Sequence, residues 1–165
     1  MVDIPGHFNF REKMLEALDS AKAVILIVDA KDKDKFGEAA EILYDVIGNL
    51  GIVTDSVPVA VACNKQDLTF AKKAIQIERD LSTQIEQIRK VRKASREQEQ
   101  DTTQAANKIS GGAAMETSQG DTSYLESLKG RFAFDQLATP VQFFDSSIVQ
   151  GNLDEVYRFV YKYAA

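Results

Sequence analysis

Three polar clusters hold the side chains that could do chemistry: Asp3-Ile4-Pro5-Gly6-His7, Asn64-Lys65-Gln66-Asp67 and Ser146-Ser147. The second is the sharpest. Val57 to Cys63 is a short apolar run with β-branched residues at alternate positions, and four polar residues close it abruptly. That pattern predicts a buried strand. In an open α/β sheet, ligands sit in the crevice beyond the carboxyl ends of the strands. An amide, an ammonium and a carboxylate at that place offer a polar ligand both donors and acceptors. An ordinary solvated loop has the same composition, so the tetrapeptide informs only together with the elements that position it.

Periodicity supplies those elements. Phe10, Met14, Leu15 and Leu18 fall at helical spacing over residues 8–20, after a segment, Val2 to Gly6, that reads as a strand end. Ala23 to Val28 is a continuous apolar run closed by Asp29, which suits a strand covered on both faces. Ala39, Ile42, Leu43, Val46, Ile47 and Leu50 predict a helix over 36–50, with Gly51 as its C-cap. Ala74, Ile77, Leu81, Ile85 and Ile88 predict a long helix over 70–93. Its last turns carry Arg89, Lys90, Arg92 and Lys93, cations that suit the negative end of a helix dipole. Residues 94–123 lose apolar periodicity and are rich in Gln, Ser, Thr, Gly and Ala, which predicts a flexible polar insertion. Phe132-Ala133-Phe134 reads as a short edge strand and Val141 to Phe144 as a core strand. Residues 152–163 close the chain as a helix, with Leu153, Val156, Phe159, Val160 and Tyr163 facing in. Strand–helix alternation implies a single α/β domain with a parallel sheet and helices on both faces.

Bulk properties narrow the function classes. The 165 residues are 44% hydrophobic and 27% charged, as in a globular domain. A net charge of -5 gives no reason to expect direct nucleic-acid binding. Cys63 is the one cysteine and cannot form an intrachain disulfide. No apolar run approaches the roughly 18–20 residues that span a bilayer. Asp3, Pro5 and His7 interrupt any secretory signal.

The order and spacing of the three clusters resembles the small GTPases of the Ras and Arf type. The likeness narrows further on Asp3-Ile4-Pro5-Gly6-His7, Ala62-Cys63-Asn64-Lys65-Gln66-Asp67, Ala71-Lys72-Lys73-Ala74, Leu81 to Arg92 and Phe132 to Leu137. Together these are similar to the signal recognition particle receptor beta subunit family, over nearly the whole chain. The resemblance implies a P-loop NTPase-type fold with GTP or GDP and Mg²⁺ as cofactors. It implies that Asp3 serves the metal through water, Gly6 the γ-phosphate and His7 the attacking water. Asn64, Lys65 and Asp67 would read guanine, with Ser147 beside them in the closing loop. A carboxylate accepts from both the ring N–H and the exocyclic amine of guanine, a donor pair that adenine lacks. As partner the resemblance implies the receptor's alpha subunit, on the cytosolic face of the endoplasmic reticulum membrane, with the translocon and ribosome engaged indirectly.

Two departures qualify this. No Gly-x-x-x-x-Gly-Lys-Ser/Thr occurs, the loop whose backbone N–H groups, lysine and hydroxyl hold phosphates and Mg²⁺. The resemblance therefore implies a single partial, N-terminally truncated GTPase domain. The phosphate loop, a switch and a membrane-spanning helix would lie ahead of Met1, and cofactor binding is expected only of the complete domain. The closing loop also reads Ser146-Ser147-Ile148-Val149, where the family tends to have Ser-Ala-Lys. The alternative is a degenerate GTPase-like interaction module that binds no nucleotide.

Overall fold

Strands β1 (Val24–Asp29), β2 (Val59–Asn64) and β3 (Val141–Asp145) form one sheet in the order β1-β2-β3, parallel throughout. The computed structural model describes residues 1–106 and 123–163, apart from the side chains of residues 8, 97–106 and 123. Helices α1 (Arg11–Leu18), α2 (Phe36–Gly48), α3 (Leu50–Thr54), α4 (Ala74–Ala106), α5 (Ser123–Ser127) and α6 (Asp154–Tyr163) complete the described chain.

The apolar runs become strands because both faces of the central one are covered. Val59 to Cys63 are all buried. Successive strand residues point to opposite faces. Val59, Val61 and Cys63 join Leu43, Ile47, Ile77, Leu81 and Ile85 of α2 and α4 in the main core. On the other face Phe144 meets Phe159 of α6, ring centroids 6.1 Å apart. Helices thus lie on both faces, as the alternation predicts. Ile25 and Ile27 of β1 differ from the rest of the sheet: they are 37% and 64% exposed. Burial pushes the Cys63 thiol up to about 12, so it is protonated at neutral pH and inert as a nucleophile.

Several local expectations change. Residues 2–6 are irregular, and the first regular structure is a 3-10 turn at Phe8–Phe10 leading into α1. The helix predicted over 36–50 breaks at Asn49, which is extended (ψ 130°) and caps α3 by accepting the Ile52 N–H at 3.1 Å. Gly51 is therefore inside α3 rather than a C-cap; a Cβ there would stand 3.3 Å from the capping Asn49 Oδ1. Phe132-Ala133-Phe134 forms no strand. The Phe132 N–H goes to Glu86 Oε2 at 3.0 Å, and the chain then turns at Phe134–Gln136 with the two phenyl rings edge to face.

The long helix starts at Ala74 and continues to Ala106, thirteen residues past the end expected at residue 93. Residues 94–106, expected in the polar insertion, are thus helical. Residues 107–122 of that insertion lie outside the described residues. The extension is rich in Glu, Gln, Arg and Ala, which are good helix formers. As a result the basic residues sit mid-helix, away from the dipole's negative end. Arg92 instead reaches Asp45 of α2 at 3.0 Å and stacks over Tyr44, while Arg89 donates to the carbonyls of Leu128 and Gly130. Asp45 also forms an ion pair with Arg11 of α1, so one buried carboxylate joins three helices.

Candidate functional site

Parallel pairing carries the three strand ends to one edge of the sheet. Asp29 stands opposite Asn64, and Cys63 opposite Asp145. The ladder continues into the loops. Ala30 N–H donates to Asn64 O at 2.9 Å, Ser146 N–H to Cys63 O at 3.0 Å, and Gln66 N–H to Ser146 O at 3.1 Å. The Asn64–Asp67 and Ser146-Ser147 clusters are therefore side by side, from positions eighty residues apart in sequence.

Side chains lock that junction. Ser147, fully buried, donates its Oγ–H to Asp67 Oδ1 at 2.5 Å and accepts the Gln150 N–H at 3.2 Å. Ser147 and Asn152 exchange both backbone bonds, at 3.0 and 2.9 Å, across a turn in which Gly151 adopts the left-handed φ of 71°. Asn64 Oδ1 accepts the Ile148 N–H at 3.3 Å, so the asparagine does tie the two loops together. That backbone N–H is thus engaged within the junction. A carboxylate offers about four acceptor positions, and Ser147 uses one of those on Asp67. The remaining capacity matches a ligand edge with two adjacent N–H donors.

Lys65 has a left-handed backbone, φ 69°, uncommon outside glycine. Its ammonium meets Asp29 Oδ2 at 2.5 Å, and Asp29 Oδ1 accepts the Lys31 N–H at 3.0 Å. Burial pushes the Asp29 carboxyl up, but the bonds from Lys65 and the Lys31 N–H outweigh it and hold the group below its ordinary value. The same bond from Asp29 raises Lys65 above its ordinary value.

Gln66, the unspecified position of the motif, pins the loop that follows. Its Nε2 donates to Lys72 O at 2.7 Å and more weakly to Cys63 O at 3.4 Å, while Lys72 N–H donates to Ala30 O at 2.8 Å. Asp145 caps α4 from a different strand, accepting the Ala74 N–H at 2.7 Å. Sequence reading misses Asp29, Gln66 and Asp145 as site residues. A carboxylate closing each outer strand is the one signal that could have found two of them.

The first cluster stands apart. Asp3, Gly6 and His7 are exposed, and among the described residues no hydrogen bond joins them to the other clusters. His7 instead accepts the Asn9 N–H on Nδ1 at 3.2 Å and opens the turn before α1. A Cβ on Gly6 would meet nothing within 4 Å and its φ is not left-handed, so local geometry alone does not demand glycine. Among the described residues no three His, Cys, Asp or Glu side chains could together hold a metal. A single exposed Asp3 does not fit a protein-held Mg²⁺.

The signal recognition particle receptor beta subunit family matches residues 1–141. The chain belongs to that family. Signal recognition particle receptor subunit beta of Mus musculus is 28% identical over 156 residues, 93% of this chain and 52% of that protein. The Saccharomyces cerevisiae subunit is 30% identical over 105 residues, 58% of this chain and 41% of its own length. The chain thus spans about half the length of the curated relatives it matches. Its fold is that of solved receptor beta structures. The mammalian receptor superposes at a TM-score of 0.65 with 24% identity, over 96% of this chain and 70% of that one. The SRb-GDP-Mg structure from Chaetomium thermophilum gives 0.68 with 21% identity, over 98% and 79%. The α/β parallel sheet expected from the family resemblance is the architecture observed.

Proposed function

We propose that this chain carries the guanine-reading site of a GTP-binding receptor subunit. Asp67 accepts the two N–H groups of the base edge, the Lys65 stem lies along the base, and Asn64 and Ser147 hold the two loops around it. The observation behind this reading is the junction itself: a carboxylate oriented by a buried serine at the carboxyl ends of parallel strands. Such a crevice is where open α/β sheets take ligands. Asp3, Gly6 and His7 stand exposed and apart from this junction, so roles toward metal-bound water, the γ-phosphate and the attacking water would fall to them only in the complete domain. In the complete domain, GTP-dependent docking would hold the receptor's alpha subunit at the cytosolic face of the endoplasmic reticulum. A relative from Chaetomium thermophilum, solved as an SRb-GTP/SRX complex, supports that assignment by fold.

This sequence contains no phosphate-loop motif, and among the described residues no helix is long and apolar enough to cross a membrane. Phosphates and Mg²⁺ supply most of the affinity of such sites. Mg-GTP should therefore bind the 165-residue chain only weakly, within about tenfold of GMP, since the base is the shared part. Isothermal titration with both nucleotides measures this. Submicromolar Mg-GTP binding would place a phosphate site within these residues and overturn the assignment of affinity. A flat titration with every nucleotide would favour the reading as an interaction module without nucleotide.

A further inference from the structure

Asp29 lies outside the tetrapeptide and thirty-six residues before Lys65, yet it is the group that holds the lysine's end. The strand register makes this possible: Asp29 and Asn64 are direct partners, so the residue after Asn64 begins its turn beside the Asp29 carboxylate. Both carboxylate oxygens are engaged, one by the Lys31 N–H and one by Lys65 Nζ, which fixes the acceptor before any ligand arrives. Lys65 is also held at its base, by its left-handed backbone and by the Leu68 N–H donated to its carbonyl at 3.0 Å. A lysine fixed at both ends leaves the four methylenes between them little freedom.

The pair does little for folding. The Lys65 and Asp29 side chains are 51% and 29% exposed, and ion pairs that exposed contribute little to stability. Their value lies in order. A free lysine gives up much of its rotamer freedom when a ligand immobilises it, whereas one already tethered has less to lose.

We propose that Asp29 is a positioning residue of the base site, tethering Lys65 so that its stem forms a preset floor for a flat purine. This deepens the guanine-reading proposal and rests on it. Asp29 touches the ligand only through Lys65, so its effect must vanish when Lys65 is shortened.

The test is a cycle of GMP affinities measured by titration on the 165-residue chain and its Asp29→Ala, Asp29→Asn, Lys65→Ala and Asp29→Ala/Lys65→Ala variants. Asp29→Ala should weaken GMP about three- to tenfold, the scale of one lysine's rotamer freedom. Asp29→Asn should do the same while keeping an acceptor for the Lys31 N–H, and it carries the test if the alanine variant folds poorly. In the Lys65→Ala background, Asp29→Ala should change nothing further. An unchanged affinity in the single variants, or the same loss in both backgrounds, overturns the role of Asp29. If Asp67→Asn abolishes a preference for GMP over AMP while the Asp29 variants bind GMP as tightly as the unsubstituted chain, the tether alone fails. If the unsubstituted chain shows no such preference, the guanine reading fails and the tether with it.

Discussion

Replacing Asp67 by asparagine should lower the affinity for guanine nucleotides at least about tenfold. The substitution keeps an Oδ1 that can accept the Ser147 hydroxyl, so the junction at 2.5 Å has no reason to open. What it changes is the other half of the group: an NH₂ now faces a donor on the base. Loss of one charge-assisted bond is worth about 1.5–3 kcal/mol. Xanthine nucleotides, which present a carbonyl where guanine has its amine, should gain relative to guanine ones. Competition between GMP and XMP on both forms of the chain measures the exchange. An unaltered preference for GMP in the variant would remove Asp67 from the base site.

Truncating Ile47 to alanine should destabilise the fold by about 2–5 kcal/mol, because the side chain is fully buried between α2 and the sheet's covered face. For a domain of this size that corresponds to a fall in Tm of roughly 4–20 °C. Ile27 provides the control, being the same residue type at 64% exposure on β1. Its replacement by alanine should stay within about 0.5 kcal/mol. Thermal melts of both variants followed by circular dichroism report the difference. Equal shifts would mean that the two faces of the sheet are not covered as described.

The strands and the helix stripes were legible because burial on both sides leaves nothing but apolar residues, as in Val57 to Cys63, and because a covered helix face repeats every three to four residues. The breaks were not. Asn49 looks like one more polar residue in a helical run until its side chain is seen bonded to Ile52. The Phe132–Phe134 alternation matches a strand, yet the partner that decides its backbone is Glu86, forty-six residues away. The mid-helix arginines belong to Asp45 and to loop carbonyls, contacts that no spacing rule encodes.

The site divides in the same way. Asn64, Lys65, Asp67 and Ser147 stand out because four polar residues close a buried strand and a serine pair closes another. Their frame does not stand out. Asp29 acquires a role only through the parallel register that places it opposite Asn64, and Gln66 only through a loop that returns to Lys72. Asp3, Gly6 and His7 read as chemistry in sequence, while the geometry shows His7 opening a turn and the other two in open solvent.

Discrimination between two purines by this chain alone tests the central claim most directly. The uniformly ¹⁵N-labelled 165-residue protein is titrated with GMP and, separately, with AMP, each to millimolar concentration. The account predicts that GMP moves the backbone amides of Asn64 to Asp67 together with those of Ser147 and Ile148, that AMP leaves them in place, and that Asp67→Asn erases the difference. Equal movement with both nucleotides, or movement confined to other parts of the chain, would contradict it.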